Sequence, residues 1–151
     1  MYTTVLAIHS WVRWIALVAG VGVTMAALRG KVQGTNSLAD RWGLFAMMAL
    51  DIQMLLGLIL YFVLSPFTTQ ALQDFSGAMK NPELRFWAVE HIAVMLLAVI
   101  LAHVGRVLAR KAPTPQAKRT RLLVCFGLAT LFMFLRTPWP GLPNGRPFFR
   151  L

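Results

Sequence analysis

Apolar residues fall into four long blocks, roughly 5–28, 43–67, 86–105 and 122–135, each almost free of charge. A bilayer-spanning helix needs about 20 apolar residues, and the first three blocks meet that length. The fourth is short and spans only if Arg121 and Arg136 snorkel to the two interfaces. The pattern predicts an all-α integral membrane four-helix bundle in a single membrane domain, 1–151. Its spanning helices are expected at about 3–28, 42–67, 85–108 and 119–137, with a Pro/Gly-rich tail over 138–151.

The breaks between blocks fit that layout. Gly30 and Gly34 interrupt the chain after the first block, and Ser65-Pro66 ends the second. Residues 68–84 read as the main outer loop, and Ala112-Pro113-Thr114-Pro115 as a tight connection. Pro138, Pro140, Pro143 and Pro147 prevent a helical tail, which is expected to lie over the outer surface. Trp42, Trp87 and Trp139 fall near expected helix ends, where indole rings favour the interface.

Composition supports the same class. The chain is 58% hydrophobic and 13% charged, where a soluble domain carries about 25% charged residues. Net charge is +10. No basic–aromatic patch stands outside the apolar blocks, so nucleic acid is set aside and anionic lipid head groups are the expected partners. The single cysteine, Cys125, excludes an intrachain disulfide and reads as a small core residue. The first positive charge, Arg13, lies inside the first apolar run, so that run reads as a retained span and not a cleaved signal.

Basic residues set the orientation. Arg29, Lys31, Arg41, Arg106, Arg110, Lys111, Lys118, Arg119 and Arg121 gather on one side, against Lys80, Arg85, Arg136, Arg146 and Arg150 on the other. The positive-inside rule places the first group in the cytoplasm and both termini on the outer, periplasmic side of a multi-pass inner-membrane protein.

Ionisable residues inside spans are costly and mark candidate sites. They are His9, Arg13, Asp51, Glu90, His91 and His103, with Gln53 as a neutral companion. At a rise of about 1.5 Å per residue, His9 and His91 each lie about 9 Å below the outer end of their helices, hence level. His9, Arg13, Ala16, Gly20 and Thr24 share one stripe, and His91, Met95, Ala98, Ala102 and Gly105 share another. Small residues on a stripe let helices approach closely. Gln53, Gly57 and Tyr61 form a third stripe, with Gly57 near the histidine depth and leaving room for a flat cofactor. His103 lies near the opposite end beside Arg106 and is expected to have an interfacial role.

Paired imidazoles on facing helices are a simple way to hold haem iron from both sides, and bis-His ligation favours electron transfer. The expectation is one non-covalent haem b, with His9 and His91 as iron ligands. Arg13 is placed to serve Glu90 or a propionate, and Arg85 and Arg136 stand where propionates would emerge. No C-x-x-C-H is present, which excludes c-type attachment. Asp51 and Glu90 read either as partners of Arg13 in a structural ion pair or as a proton relay beside a quinone. Asp51 points about 160° away from Gln53, so both cannot face one ligand.

Three strings carry a resemblance: Leu6-Ala-Ile-His9-Ser-Trp-Val-Arg13-Trp, Asp51-Ile-Gln-Met-Leu-Leu-Gly-Leu-Ile-Leu-Tyr61 and Arg85-Phe-Trp-Ala-Val-Glu90-His91. With the Pro138-Trp-Pro and Gly145-Arg-Pro tail, they resemble small four-helix bacterial membrane proteins labelled cytochrome b. The resemblance covers most of the chain and implies haem b on His9 and His91. The chain also has the size of the haem-binding membrane protoporphyrinogen oxidases but lacks their motif surroundings. The larger dihaem cytochromes use four histidines, and this chain has three.

The expected function is a membrane b-type cytochrome-like electron-transfer protein or subunit, working with quinol or an outer-face redox partner. The alternative is a cofactor-free accessory subunit of a larger membrane redox or photosynthetic complex, or of a homo-oligomer. A transporter is disfavoured by the lack of charged rings or paired interrupted helices.

Overall fold

The computed structural model describes residues 1–149. Arg150, counted above among the outer charges, and the last tail position lie outside the described residues. The described chain is all-helical. α1 (Tyr2–Leu28) leads to α2 (Leu38–Ile59), which continues through a π-helical turn, Leu60–Leu64. Three short helices follow: α3 (Pro66–Gln73), α4 (Phe75–Lys80) and α5 (Pro82–Arg85). A second π-helical turn, Phe86–Glu90, enters α6 (His91–Arg110), and α7 (Pro115–Arg136) completes the set.

Three helical stretches are long and apolar enough to cross a membrane: Tyr2–Leu28, Leu38–Leu64 and Pro82–Arg110, of 27, 27 and 29 residues. At about 1.5 Å per residue each exceeds the hydrocarbon thickness of about 30 Å. α7 is of comparable length, 22 residues. It packs against α1 and α6, and α2 likewise touches both. α1 and α6 run in one direction, and α2 and α7 return.

The packing is small inside and large outside. Ala16, Ala19, Ala27, Ala46, Ala98, Ala102 and Ala129 are buried at 1% exposure or less. Large side chains such as Leu55 (61%), Phe62 (70%) and Val63 (70%) face outward. A water-soluble protein would bury these; small residues between helices and large apolar ones outside suit lipid contact. The stripes read from sequence are the buried ones. A Cβ on Gly20 would collide with Thr130 Oγ1, and one on Gly105 with Cys125 Cβ. Cys125 is itself buried in this contact zone, as a small core residue should be.

Helix boundaries depart from expectation where capping side chains act. α2 begins at Leu38, not at 42, because Ser37 and Asp40 form a reciprocal capping box. α7 begins at Pro115, not at 119, with Thr114 accepting from the Ala117 N–H and Pro at the first turn. The stretch 68–84, read as loop, is mostly helical. Ser65, Asp74 and Asn81 cap its three short helices in succession. Gly30 and Gly34 adopt φ of +68° and +78°, the left-handed conformation that ends α1 and turns the chain.

Side chains from α7 tie one end of the molecule together. Lys118 is buried and bonds the Asp40 carboxylate and, at 2.9 Å, the Gly34 carbonyl. Arg119 donates to the Ala27 and Leu28 carbonyls that end α1, and Arg121 donates to Leu108 near the end of α6. The Ala27 carbonyl also accepts from the Gly30 N–H, and Leu28 and Leu108 lie among the last carbonyls of their helices, which lack i+4 donors, so the arginines add partners at these ends. This is the basic end; the opposite end holds a cleft.

Candidate functional site: an imidazole-lined cleft

At the end away from those lysines and arginines, α1, α2 and α6 part around a cleft. Its empty space, open solvent at the mouth included, is about 1230 Å³. His9 lines it from α1, Gln53 and Gly57 from α2, Tyr61 from the first π turn, and Trp87 and His91 from the second π turn and the start of α6. The two histidines expected to lie level are thus brought to one cavity, as is Gly57. A Cβ at Gly57 would stand 3.3 Å from His9 Cε1, so the glycine gives the imidazole its place.

The π turns position these residues. A π turn leaves carbonyls without their helical partner. The Tyr61 hydroxyl donates to the Ala88 carbonyl at 2.8 Å, which ties one π turn to the other. The Thr68 hydroxyl donates to the Tyr61 carbonyl at 2.6 Å, which ties α3 to the first turn. Apolar periodicity carries no signal for either turn, so the sequence reading missed them.

The two imidazoles are held differently. His91 Nδ1 lies 3.0 Å from the Arg136 backbone carbonyl. A carbonyl only accepts, so Nδ1 carries the proton and Nε2 is left with its lone pair. His9 Nε2 lies 3.1 Å from Gln53 Nε2, whose amide donates to it. His9 Nδ1 and Gln53 Oε1 are then buried without partners. Turning the amide over places Oε1 to accept from an Nε2–H and leaves Nδ1 with a lone pair. Only in the second arrangement does His9 keep a lone pair, on Nδ1; in the first, Nδ1 carries the proton and can only donate. Trp87 Nε1 is likewise buried without a partner on the cleft wall.

The arginines are arranged differently from expectation. Arg85 and Arg136 do not line the cleft. Both guanidiniums hold Glu90, Arg85 Nε at 2.9 Å and Arg136 Nη1 at 3.3 Å. Arg136 reaches the site through its backbone carbonyl instead. Arg13 does line the cleft, but it forms no ion pair with Asp51 or Glu90; it donates to the Phe148 carbonyl at 3.0 Å. Trp14 Nε1 donates to the same carbonyl at 3.0 Å. These bonds hold the non-helical tail across the cleft end. The tail brings in a residue that sequence reasoning missed, Arg146, which lines the cleft with its guanidinium 5.1 Å from the Phe67 and Trp87 ring centres. Trp87, expected at the interface, is part of this wall.

Asp51 lies outside the cleft, as its angle from Gln53 required. It pairs with His103 at 2.8 Å, each side chain 46% exposed on the α2–α6 face. His103, expected to act at the interface without a histidine at its depth, has this carboxylate as its partner.

Chemically, the cleft offers two imidazole nitrogens, an apolar wall with a tyrosine and tryptophan, and two guanidiniums at its mouth. Among the described residues, no group of three or more His, Cys, Asp or Glu side chains converges to hold a metal ion on protein ligands alone. The fold and the site define an all-helical protein with membrane-length apolar helices and a bis-imidazole cleft. No protein-family model, curated protein or solved structure matches the chain.

Proposed function

We propose that this protein is a membrane-embedded b-type cytochrome-like electron-transfer protein or subunit that holds one haem b between His9 and His91. The observation that carries the reading is the shared cleft: two imidazoles from α1 and α6, His91 with its Nε2 lone pair free and His9 with Nδ1 free once the Gln53 amide is turned over. Haem supplies four nitrogens of its own, so two protein ligands suffice where a bare ion would need more. The Arg136 carbonyl fixes the His91 tautomer, as an acceptor on the far ring nitrogen orients metal-binding histidines. Arg13 and Arg146, in place of Arg85 and Arg136, are the cations that would meet propionates. Bound there, a haem would supply one-electron transfer.

In this reading the four long helices form a bundle in the inner membrane. The basic end faces the cytoplasm, and both termini and the cleft face outward. One such site cannot carry electrons across an apolar slab about 30 Å thick, so its partners are quinol, an outer-face redox protein or further centres in a larger complex.

The test is the dithionite-reduced spectrum of the purified protein. A sharp α band and a Soret peak are expected, and His9→Ala and His91→Ala should each abolish the bis-His form. A fully inserted but colourless protein, still colourless after incubation with hemin, sinks the proposal. The second reading is a cofactor-free accessory subunit, favoured by the His9–Gln53 hydrogen bond, which gives His9 a packing role. Under it, Gln53→Leu destabilises the protein and addition of hemin changes nothing.

A further inference from the structure

Three guanidiniums converge at the basic end, on the outer face shared by α2 and α6. Arg41 comes from the first turns of α2, and Arg106 and Arg110 from the last turns of α6. They line a groove with Leu44, Phe45 and Met48, whose empty space, open solvent included, is about 860 Å³. Arg106 is fixed by a 2.9 Å bond from Nη1 to the Asp40 carbonyl. Among the described residues, the guanidiniums of Arg41 and Arg110 have no hydrogen-bond or ion-pair partner. Arg106 and Arg110 stand one turn apart, a like-charge spacing that is unfavourable on a helix.

Among the described residues, no carboxylate forms an ion pair with these three arginines. The chain contains five acidic residues. Asp40, the one beside the groove, is engaged by Lys118 and Ser37. Asp51 is paired with His103, Glu90 with Arg85 and Arg136, and Asp74 and Glu83 lie at the cleft end. The groove therefore presents uncompensated positive charge beside exposed apolar side chains: Leu44 at 40%, Phe45 at 48% and Met48 at 52% exposure. A free inorganic anion would use the arginines and leave those side chains bare. A phospholipid uses both, its phosphodiester on the fork-shaped guanidiniums and its acyl chains along α2 toward the middle of the helix.

We infer that this groove is a binding site for one anionic phospholipid, whose phosphate is held by Arg41 and Arg110 with Arg106 as the fixed member. The inference rests on the membrane embedding proposed above but not on the haem, so a colourless protein would leave it standing.

The test uses the full-length protein in neutral detergent, titrated with phosphatidylglycerol or phosphatidylcholine, with bound lipid read by native mass spectrometry. The expectation is one phosphatidylglycerol retained about tenfold more tightly than phosphatidylcholine. Arg41→Gln with Arg110→Gln should reduce it to the phosphatidylcholine level. Arg29→Gln with Lys31→Gln, the same charge change off the groove, should leave it bound. Circular dichroism checks that both variants keep their helical signal. Should the double variant lose structure, Arg110→Gln alone, at an exposed helix end, must still weaken retention several-fold. Equal loss in the Arg29/Lys31 variant overturns the site in favour of general charge attraction. Displacement of the lipid by excess inorganic phosphate overturns it in favour of a simple anion site.

Discussion

The two ends of the helix assembly are built on opposite terms. At the basic end the interior is closed: Lys118 and Asp40 meet inside, Arg119 and Arg121 take the last carbonyls of α1 and α6, and the helices touch through alanine and glycine. At the cleft end the same helices part. The space between them has a mostly apolar wall with a few polar groups, of which His9 Nδ1, Gln53 Oε1 and Trp87 Nε1 are left without partners. Buried polar atoms without partners cost free energy. Their concentration in a single cavity argues that this end is shaped around something it receives, and the basic end around holding the helices together.

The largest expected effect of breaking this contrast is at the basic end. Lys118 and Asp40 side chains are each 11% exposed. Removing one partner of a buried pair leaves the other charge uncompensated, a loss of about 3 kcal/mol. Lys118→Met should therefore lower the thermal unfolding temperature in detergent sharply. Adding Asp40→Asn should recover part of the loss. A Lys118→Met protein as stable as the parent would mean that the end is held by the alanine contacts and arginine caps alone.

At the cleft end the expected pattern reverses, with binding lost and folding kept. Gly57→Leu puts a branched chain where even a Cβ would meet His9 Cε1 at 3.3 Å. The cleft has room for the rest of the side chain, so stability should change by about 1 kcal/mol or less. Hemin uptake should fall at least tenfold, a reduction read from the Soret absorbance after titration. Unfolding of Gly57→Leu together with unchanged pigment in the surviving fraction would show that the glycine serves packing and not the cavity.

The sequence was most informative where one periodic property decided the outcome. The small-residue stripes through Gly20 and Gly105 are buried, and Gln53, Gly57 and Tyr61 line the cleft with His9 and His91. Depth counting along two helices of like direction was enough to bring the histidines together. It failed for charge partners, because these depend on how far long side chains reach and on segments whose path periodicity does not specify. Arg13 was assigned to Asp51 or Glu90, yet Asp51 faces α6, Glu90 sits between two arginines, and the returning tail offers Arg13 a carbonyl. The same blindness hid Arg146, which reaches the cleft only because the tail folds back. The early start of α2 was legible in Ser37-x-x-Asp40, a capping box masked by the polar run around it.

The Asp51–His103 pair sharpens the comparison from outside both ends. It joins α2 to α6 on their outer face, with both side chains half exposed within stretches long and apolar enough to cross a membrane. In water such a pair would contribute little. Against hydrocarbon a lone carboxylate is costly. His103→Leu should therefore destabilise more than Asp51→Leu, by about 1 kcal/mol, because it strands the acid. The double replacement should be at least as stable as the parent, since two leucines suit that face better than a polar pair. The measurement is a double-mutant cycle of thermal unfolding in lipid nanodiscs. A double variant less stable than both singles would mean that the pair faces a polar neighbour, such as a second protein, and that the α2–α6 face is not lipid-exposed there.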